Sequence, residues 1–321
     1  RVRRALRGAT RKILPSGLEL YTGGESGAVL VFLGWKLRPV REEGMTLDNW
    51  FEQNIRRKYT PIQVEQEYPE TIEQALSLPQ SISFFDQARL TVLEKDCVFE
   101  PLNVDGKFDT HKGIVRFYKL PEVGRKYCLF TDPSDGFDDP HCIVVIDAQT
   151  GEEVACSYGK TNIEECAEIH DALVRFYHNA YNSFDALGSS GGSFLVHLPK
   201  METPKMAQRR KVDGTVVEGK IGMYANSPSY KKSLMDGLAE AIRVGGIRIH
   251  TASAIEEMRG VIRIIKEEGE GANRTKGEEV PDVVAGMHND WISAWRGVWY
   301  IRKYMPQKVG RIISMDYKMR W

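Results

Sequence analysis

Three aspartates far apart in the chain, Asp132, Asp185 and Asp290, are the residues whose placement points to chemistry. Asp132 closes the apolar run of KYCLFTD, Asp185 falls in the short run NSFDAL, and Asp290 heads the helical pattern NDWISAWRGVWYI. Carboxylates delivered by separate elements to one sheet edge are suited to hard divalent cations, which take oxygen ligands. A pair of such ions roughly 3.5 to 4 Å apart activates water and stabilises the leaving oxygen of a phosphodiester. Each acid taken singly reads more readily as a turn or cap residue, so the case rests on the conjunction. Asp135, Asp138 and Asp139 crowd the turn after Asp132, and carboxylates packed so closely repel unless a cation or basic partner neutralises them. Asp135, Asp139 and Asn289 are therefore auxiliary candidates. His288, two positions before Asp290, is a candidate to orient a phosphate or the attacking water.

The elements that must position these acids follow from the apolar periodicity. Strands are expected at 127–131, 142–146 and 154–158, joined by short polar turns, with a Thr-Gly turn at Thr150 and Gly151. An apolar stripe over 163–180, opened by Asn162 as cap, predicts a helix, and a fourth strand is expected at 183–187. The stretch LGSSGGSF lacks the Lys and Ser/Thr of a phosphate-binding P-loop and reads as a flexible turn. Asp213-Gly214 is a hairpin signal between two β-prone arms. A helix over 227–244 ends at Gly245 and Gly246, a fifth strand is expected at 247–250, and helices at 253–266 and 288–304 follow, with a polar loop between them. A three-strand meander, a helix, a fourth strand and a last helix bearing an acid make up the element order of a ribonuclease H-like α/β nuclease. The expected fold is a mixed five-stranded sheet flanked by helices, with a basic β-hairpin insertion.

Bulk properties exclude several classes. Across 321 residues, Lys plus Arg and Asp plus Glu both number 44, so nucleic acid would have to be bound by a local patch. One such patch runs from His197 to Lys232, with a local excess of five positive charges. Its residues Arg209, Arg210, Lys211, Lys220, Lys231 and Lys232 are candidates to contact DNA phosphates without reading sequence. The five cysteines form no CxxC pair and read as reduced, buried thiols. No apolar stretch approaches the roughly 18 residues of a membrane span. The chain starts at Arg1 and is expected to begin inside a longer polypeptide; its first twelve residues, rich in Arg, read as a solvated end.

Several segments together resemble the large subunit of the tailed-bacteriophage terminase, which drives viral DNA into the capsid and cuts it. FLGWKLRPVREEGMTLDNW followed by EQEYPETIEQAL is similar to the end of that family's ATPase domain. TDPSDGFDDPHCIVVIDAQTGEEVA is similar to its first nuclease strands, with Asp132 at the first metal-binding acid. YANSPSYKKSLMDGLAEAIRVGGIRI, IEEMRGVI and GMHNDWISAWRG resemble its closing segments, with Asp290 in the last acidic motif. Two features depart from the pattern. The family's usual register from Gly191 would place Ala186 at the second ligand, and one extra loop residue restores Asp185. His288-Asn289-Asp290 stands where two adjacent aspartates are common.

The resemblance implies residues 1–85 as the remnant of an ATPase domain, 86–122 as a linker and 123–321 as a nuclease domain. It implies a metal-dependent endonuclease using two Mg²⁺ or Mn²⁺ ions on double-stranded DNA in the cytoplasm of the infected bacterial host. The terminase small subunit and the portal protein are the partners it implies. ATP hydrolysis is not expected, because no Walker A loop is present. Two other readings stand beside it: a DNA-gripping or portal-docking module that has lost catalysis, and another enzyme of the same fold, such as a junction resolvase or integrase.

Overall fold

A computed structural model describes residues 6, 8–37, 44–59, 64, 67–76, 82–97, 100–104, 108, 111, 113–137, 139–265, 279–283 and 288–306. In chain order, strands β1 (Thr10–Ile13), β2 (Glu19–Thr22) and β3 (Leu30–Phe32) precede helices α1 (Leu47–Phe51), α2 (Ile72–Leu76) and α3 (Gln87–Lys95). Next come β4 (Val115–Phe117), β5 (Tyr127–Asp132), β6 (His141–Asp147), β7 (Glu153–Gly159), α4 (Ile163–Phe176), β8 (Tyr181–Phe184) and α5 (Gly188–His197). The hairpin β9 (Gln208–Arg210) and β10 (Val216–Ile221) leads to α6 (Pro228–Arg243), α7 (Ala252–Arg259), β11 (Val261–Ile265), β12 (Glu279–Val283) and α8 (Asp290–Arg302). These elements form two compact units, one of residues 1–97, 242–245 and 251–289 and one of 98–241, 246–250 and 290–321.

The second unit is built on a five-stranded sheet in the order β4-β7-β6-β5-β8. β5, β6 and β7 form the antiparallel meander, and β8 joins β5 in parallel after the α4 crossover. β6 is buried along its whole length, which explains its unbroken apolar run: both faces of the sheet are covered. Leu129, Ile143, Val145 and Ala155 share one core with Ile169, Leu173 and Tyr177 of α4 and its end. On α4, Asn162 accepts the amide of Glu165 as the expected cap. The helix stops at Phe176, before His178 and Asn179 take positive φ values. The other face of the sheet is covered by α8, where Gly297 lies directly over the Phe130 ring.

Several elements differ from the sequence reading. The segment 247–250 makes only one parallel bridge, Glu152 to Arg248, and is not a strand. The pairing edge of β7 is already taken by β4, and the segment is instead tied by Glu153, which accepts the His250 amide, and by Glu152 against the His250 ring. β4 thus supplies the fifth strand from within the stretch expected to be a linker, which also holds α3, capped by Asp86. LGSSGGSF is not a turn, because Gly188–His197 is helical despite poor intrinsic propensity. Phe194 of that helix and Leu198 just after it are buried beside Phe184 and Ala186, and this packing outweighs propensity. The helix expected at 253–266 ends at Arg259, since Gly260 closes it and the β-branched run VIRII pairs as β11 with β12, inside the expected polar loop.

The first unit has a three-stranded sheet, β1-β2-β3, with Tyr21 and Phe32 packed on Ile72 of α2. None of these three strands is among those expected from the apolar periodicity. Trp35 stacks on Phe51 at 3.8 Å, with Tyr68 edge-on to Phe51. Arg259 joins α7 to α3 by donating to Gln87, Thr91 and Glu94. The described residues of 251–289 therefore belong to the same unit as the N-terminal segment. Asp105 and Gly106, and Arg1, Arg3, Arg4 and Arg7, lie outside the described residues.

A Cβ at Gly297 would stand 2.4 Å from the Phe130 ring, whereas one at Gly237 in α6 meets nothing nearer than Lys303 at 3.9 Å. Gly297→Ala is expected to destabilise the second unit by about 1–3 kcal/mol through overpacking. Gly237→Ala is expected to be neutral or stabilising by up to roughly 1 kcal/mol. Thermal denaturation of both variants beside the parent checks the contrast.

Candidate active site

The register of β5 and β8 brings the first two acids together. Thr131 pairs with Phe184 in the parallel ladder, and the Asp185 amide donates to the Thr131 carbonyl at 2.9 Å, so Asp132 and Asp185 stand abreast just where the strands end. Strand side chains alternate between faces. Thr131, Asn182 and Phe184 point to the α4 and α5 side, which leaves Asp132 and Asp185 on the face covered by α8. Strand β8 ends at Phe184, so the expected strand at 183–187 is shifted toward the N-terminus and Asp185 sits past its end.

Two supports fix this pair from behind. The Thr131 hydroxyl lies 2.7 Å from His170 Nδ1, and His170 Nε2 lies 3.1 Å from Asn182 Oδ1. An amide oxygen only accepts, so Nε2 carries the proton and Nδ1 accepts from Thr131. Burial pushes the His170 pKa down to about 4, which keeps this ring neutral. The second support is Gly191. A Cβ there would stand 2.5 Å from the Asp185 carbonyl oxygen and 2.6 Å from the Ala186 carbonyl carbon. Only glycine lets α5 approach the backbone that carries the second acid. Asp185 Oδ1 accepts the Leu187 amide at 3.0 Å, which aims the side chain, while Ala186 faces the apolar core. The register thus sets Asp185 beside Asp132 and turns Ala186 into the apolar core.

Asp290, the first residue of α8, supplies the third carboxylate and is buried. Tyr158 of β7 donates to its Oδ2 at 3.3 Å, and the Tyr158 ring stacks on Trp291 with centroids 4.8 Å apart. Asp132 senses the other two carboxylates. Burial, then the Asp185 carboxylate, push Asp132 up to about 8, with Asp290 adding to the rise and Arg296 and the Ser293 hydroxyl opposing it. Asp132 keeps part of its surface exposed, so solvent moderates the burial contribution. Asp185 is raised as well, first by burial, against the Leu187 amide and the charges of Arg296 and Lys231.

Ser293 and Arg296 were not singled out in the sequence. The signal was present, because Asp290, Ser293 and Gly297 recur at helical spacing on the α8 face that meets β5, but the aromatic residues between them dominate the pattern. Asp135 and Asp139 are exposed; Asp135 accepts the Phe137 amide in its own turn, and Asp138 lies outside the described residues. His288 and Asn289 are exposed, precede α8 and belong to the first unit.

The hairpin forms around Asp213 and Gly214 as expected, with Asp213 accepting the Thr215 amide. Its arginines are engaged internally. Arg209 donates to the Gly222 and Ile221 carbonyls and lies over Tyr224, and Arg210 donates to the Gly214 carbonyl and lies 4.0 Å over Tyr304. Lys232 pairs with Asp236, whereas Lys211, Lys220 and Lys231 are exposed. All five cysteines are free and buried.

The donor chemistry of three converging, mutually repelling carboxylates suits a divalent cation. The spacing is not that of a closed ligand set: among the described residues, no three His, Cys, Asp or Glu side chains are grouped closely enough to hold a metal. The mixed sheet flanked by helices, with acids at the ends of β5 and β8 and the start of α8, has the ribonuclease H-like fold of large terminase nucleases. The cobalt-bound large terminase nuclease of thermophilic phage G20c matches with a TM-score of 0.51 at 16% identity, over 69% of this chain and 98% of that one. Its magnesium-bound form gives the same values. The large terminase nuclease domain of Thermus phage P74-26 gives 0.48 at 15% identity, over 66% of this chain and 94% of that one. No protein-family model and no curated protein matches the sequence.

A carboxyl raised to about 8 favours its protonated form in the fold, so it withdraws stability as pH rises from the unfolded value near 4 through 8. Asp132→Asn is therefore expected to stabilise the metal-free protein at pH 8, by on the order of 2 kcal/mol, and to leave it nearly unchanged at pH 4.5. Thermal denaturation in EDTA at the two pH values measures this; equal shifts at both would contradict the repulsion.

Proposed function

We propose that this chain is the nuclease portion of a phage large terminase, cutting double-stranded DNA during genome packaging by metal-dependent phosphodiester hydrolysis. The observation that carries the reading is the placement of Asp132 and Asp185 side by side on the α8 face with Asp290 above them, in a fold shared with solved terminase nucleases. Asp132, Asp185 and Asp290 would hold two Mg²⁺ or Mn²⁺ ions. When bound, such ions supply an acidified water and a counter-charge for the leaving oxygen. Tyr158 and Ser293 hold Asp290 and Asp132 in place for that task. The large terminase nuclease of phage G20c has been solved with bound cobalt and with bound magnesium, which supports divalent-metal dependence here.

DNA would be gripped through Lys211, Lys220 and Lys231, since these three project into solvent while Arg209 and Arg210 brace the hairpin. Lys231 also acts on Asp185 electrostatically, so this positive edge adjoins the acids. Residues 1–85 fit the end of a motor ATPase domain, with the small subunit and the portal as further partners and the infected bacterial cytoplasm as the location. Among the described residues no helix is long and apolar enough to cross a membrane. The spacing of the acids favours one second reading, a DNA-gripping or portal-docking module with weakened catalysis.

Supercoiled plasmid incubated with Mn²⁺, Mg²⁺ or EDTA separates the two. Nicking that requires metal and falls at least about 100-fold in Asp132→Asn and Asp185→Asn supports the nuclease; DNA binding without cleavage under every condition supports the gripping module. For the grip, Lys211→Ala and Lys220→Ala are each expected to lower the slope of log affinity against log salt by about 1. Arg210→Ala is expected to act on thermal stability first. Fluorescence anisotropy across a salt series distinguishes these effects.

A further inference from the structure

The hairpin of β9 and β10 is held at both of its ends by the elements that carry the acids. At its base, the two legs are bonded to the strand that leads into Asp185. The Ala207 amide donates to the Asn182 carbonyl at 2.7 Å, and the Met223 amide donates to the Phe184 carbonyl at 2.8 Å. The Met223 carbonyl in turn accepts the Ala186 amide at 2.7 Å, so the second leg brackets Asp185. Gly222 permits this closeness, since a Cβ there would stand 2.8 Å from the Phe184 ring and 2.9 Å from the Ala186 side chain. Toward its tip, the hairpin rests on three tyrosines. The hydroxyl of Tyr230 in α6 donates to the Arg210 carbonyl at 3.1 Å. The Arg210 guanidinium lies 4.0 Å over the ring of Tyr304, just past the end of α8, and a Cβ at Gly214 would stand 3.1 Å from the Tyr304 hydroxyl. Tyr300 fills the space between, edge-on to Tyr230 and to Tyr304 with centroids 5.9 and 5.2 Å away. The pocket left between hairpin, tyrosines and β8 is about 10 Å³, room for no more than one water.

A two-stranded hairpin has little stability of its own. In this one the ladder is interrupted between Val216 and Ile221, and most of β10 is exposed. Order in the arm therefore comes from what it rests on. α8 begins at Asp290 and reaches Tyr300 about 15 Å further along its axis. One helix thus bears the third acid at its start and an anchor of the hairpin near its end. We propose that Tyr230, Tyr300 and Tyr304 form a clamp that presents the hairpin at a fixed position relative to the acids, so that Lys211 and Lys220 meet a DNA backbone already in register with them. The three tyrosines are positioning residues. The clamp stands on the geometry by itself, while its consequence for DNA rests on the nuclease reading. Lysines held in place before the duplex arrives lower the ordering cost of binding without changing the number of phosphates neutralised. Loosening the clamp should weaken affinity alike at every salt concentration, whereas removing a lysine flattens the salt dependence. That split separates positioning from contact.

The test uses the full chain in EDTA, with Tyr230→Phe and Tyr304→Leu combined, and Lys211→Ala beside the pair. Tyr230→Phe deletes one hydroxyl and keeps the buried ring; Tyr304→Leu keeps an apolar side chain but removes the ring beneath Arg210. The Lys211 amide donates to the Thr215 carbonyl and the Gly214 amide to the Lys211 carbonyl, each at 2.9 Å. In the double variant these two tip amides are expected to exchange with deuterium about tenfold faster, while the Met223 and Ala186 amides at the base keep the parent's rate. Unchanged exchange at the tip overturns the clamp. Fluorescence anisotropy with a linear duplex is expected to show an affinity about fivefold lower across the salt series with the parent's slope, against a slope lower by about 1 in Lys211→Ala. Parental affinity in the double variant, or a slope that falls as in Lys211→Ala, overturns the positioning of the DNA contacts. If the parent itself binds no duplex while exchange at the tip still rises, the DNA reading falls and the clamp stands.

Discussion

Two carboxylates set abreast at the ends of neighbouring parallel strands repel, and much of the surrounding structure serves to hold that pair. The amide of Asp185 bonded to the Thr131 carbonyl fixes the alignment, and a slip of one residue in β8 would turn the second acid toward the α4 core. From the α4 side, the neutral His170 ties Thr131 to Asn182 across the same two strands. From the other side, α8 comes so close that only glycine fits at position 297 over Phe130, and this closeness carries Asp290, Ser293 and Arg296 to the acids. The repulsion is thus contained by the sheet below and the helix above, and the charge of Arg296 opposes it.

The same constraint explains features that local sequence preference disfavours. A helix beginning Gly-Ser-Ser-Gly-Gly is a poor helix in isolation. It forms because Phe194 and Leu198 are buried, and because Gly191 must pass against the Asp185 carbonyl without a side chain. Local propensity and tertiary demand disagree at the site and agree elsewhere in the sheet, which is where natural proteins tolerate such conflict.

The meander was legible in the sequence because β5, β6 and β7 are buried and read as apolar runs broken by a Thr-Gly turn and an acidic loop. Asn162 as cap, the Asp213-Gly214 turn and the α8 start at Asp290 were legible because each rests on local hydrogen bonds or backbone geometry. β4 was not, since three residues in KGIVRFYKL carry almost no periodic signal and are recruited by the free edge of β7. The pairing of β11 with β12 depends on contacts between segments far apart in the chain, and the sequence between them is polar. At the site the three acids were visible as residue types. Ser293, Arg296 and Tyr158 were not, because they matter only through what the fold places beside them. Arg209 and Arg210 looked like outward phosphate ligands by charge, yet Arg209 Nε and Nη2 and Arg210 Nη1 donate to carbonyls of the hairpin and both guanidinium groups lie over tyrosine rings.

The central claim is that the face shared by β5, β8 and α8 is a divalent-cation site built from Asp132, Asp185 and Asp290. Crystals of the protein grown with Mn²⁺ and measured at the manganese absorption edge address it directly. The account predicts anomalous peaks within bonding distance of the Asp132 and Asp185 carboxylates, with Asp290 completing the set. Manganese bound only elsewhere on the molecule would contradict it.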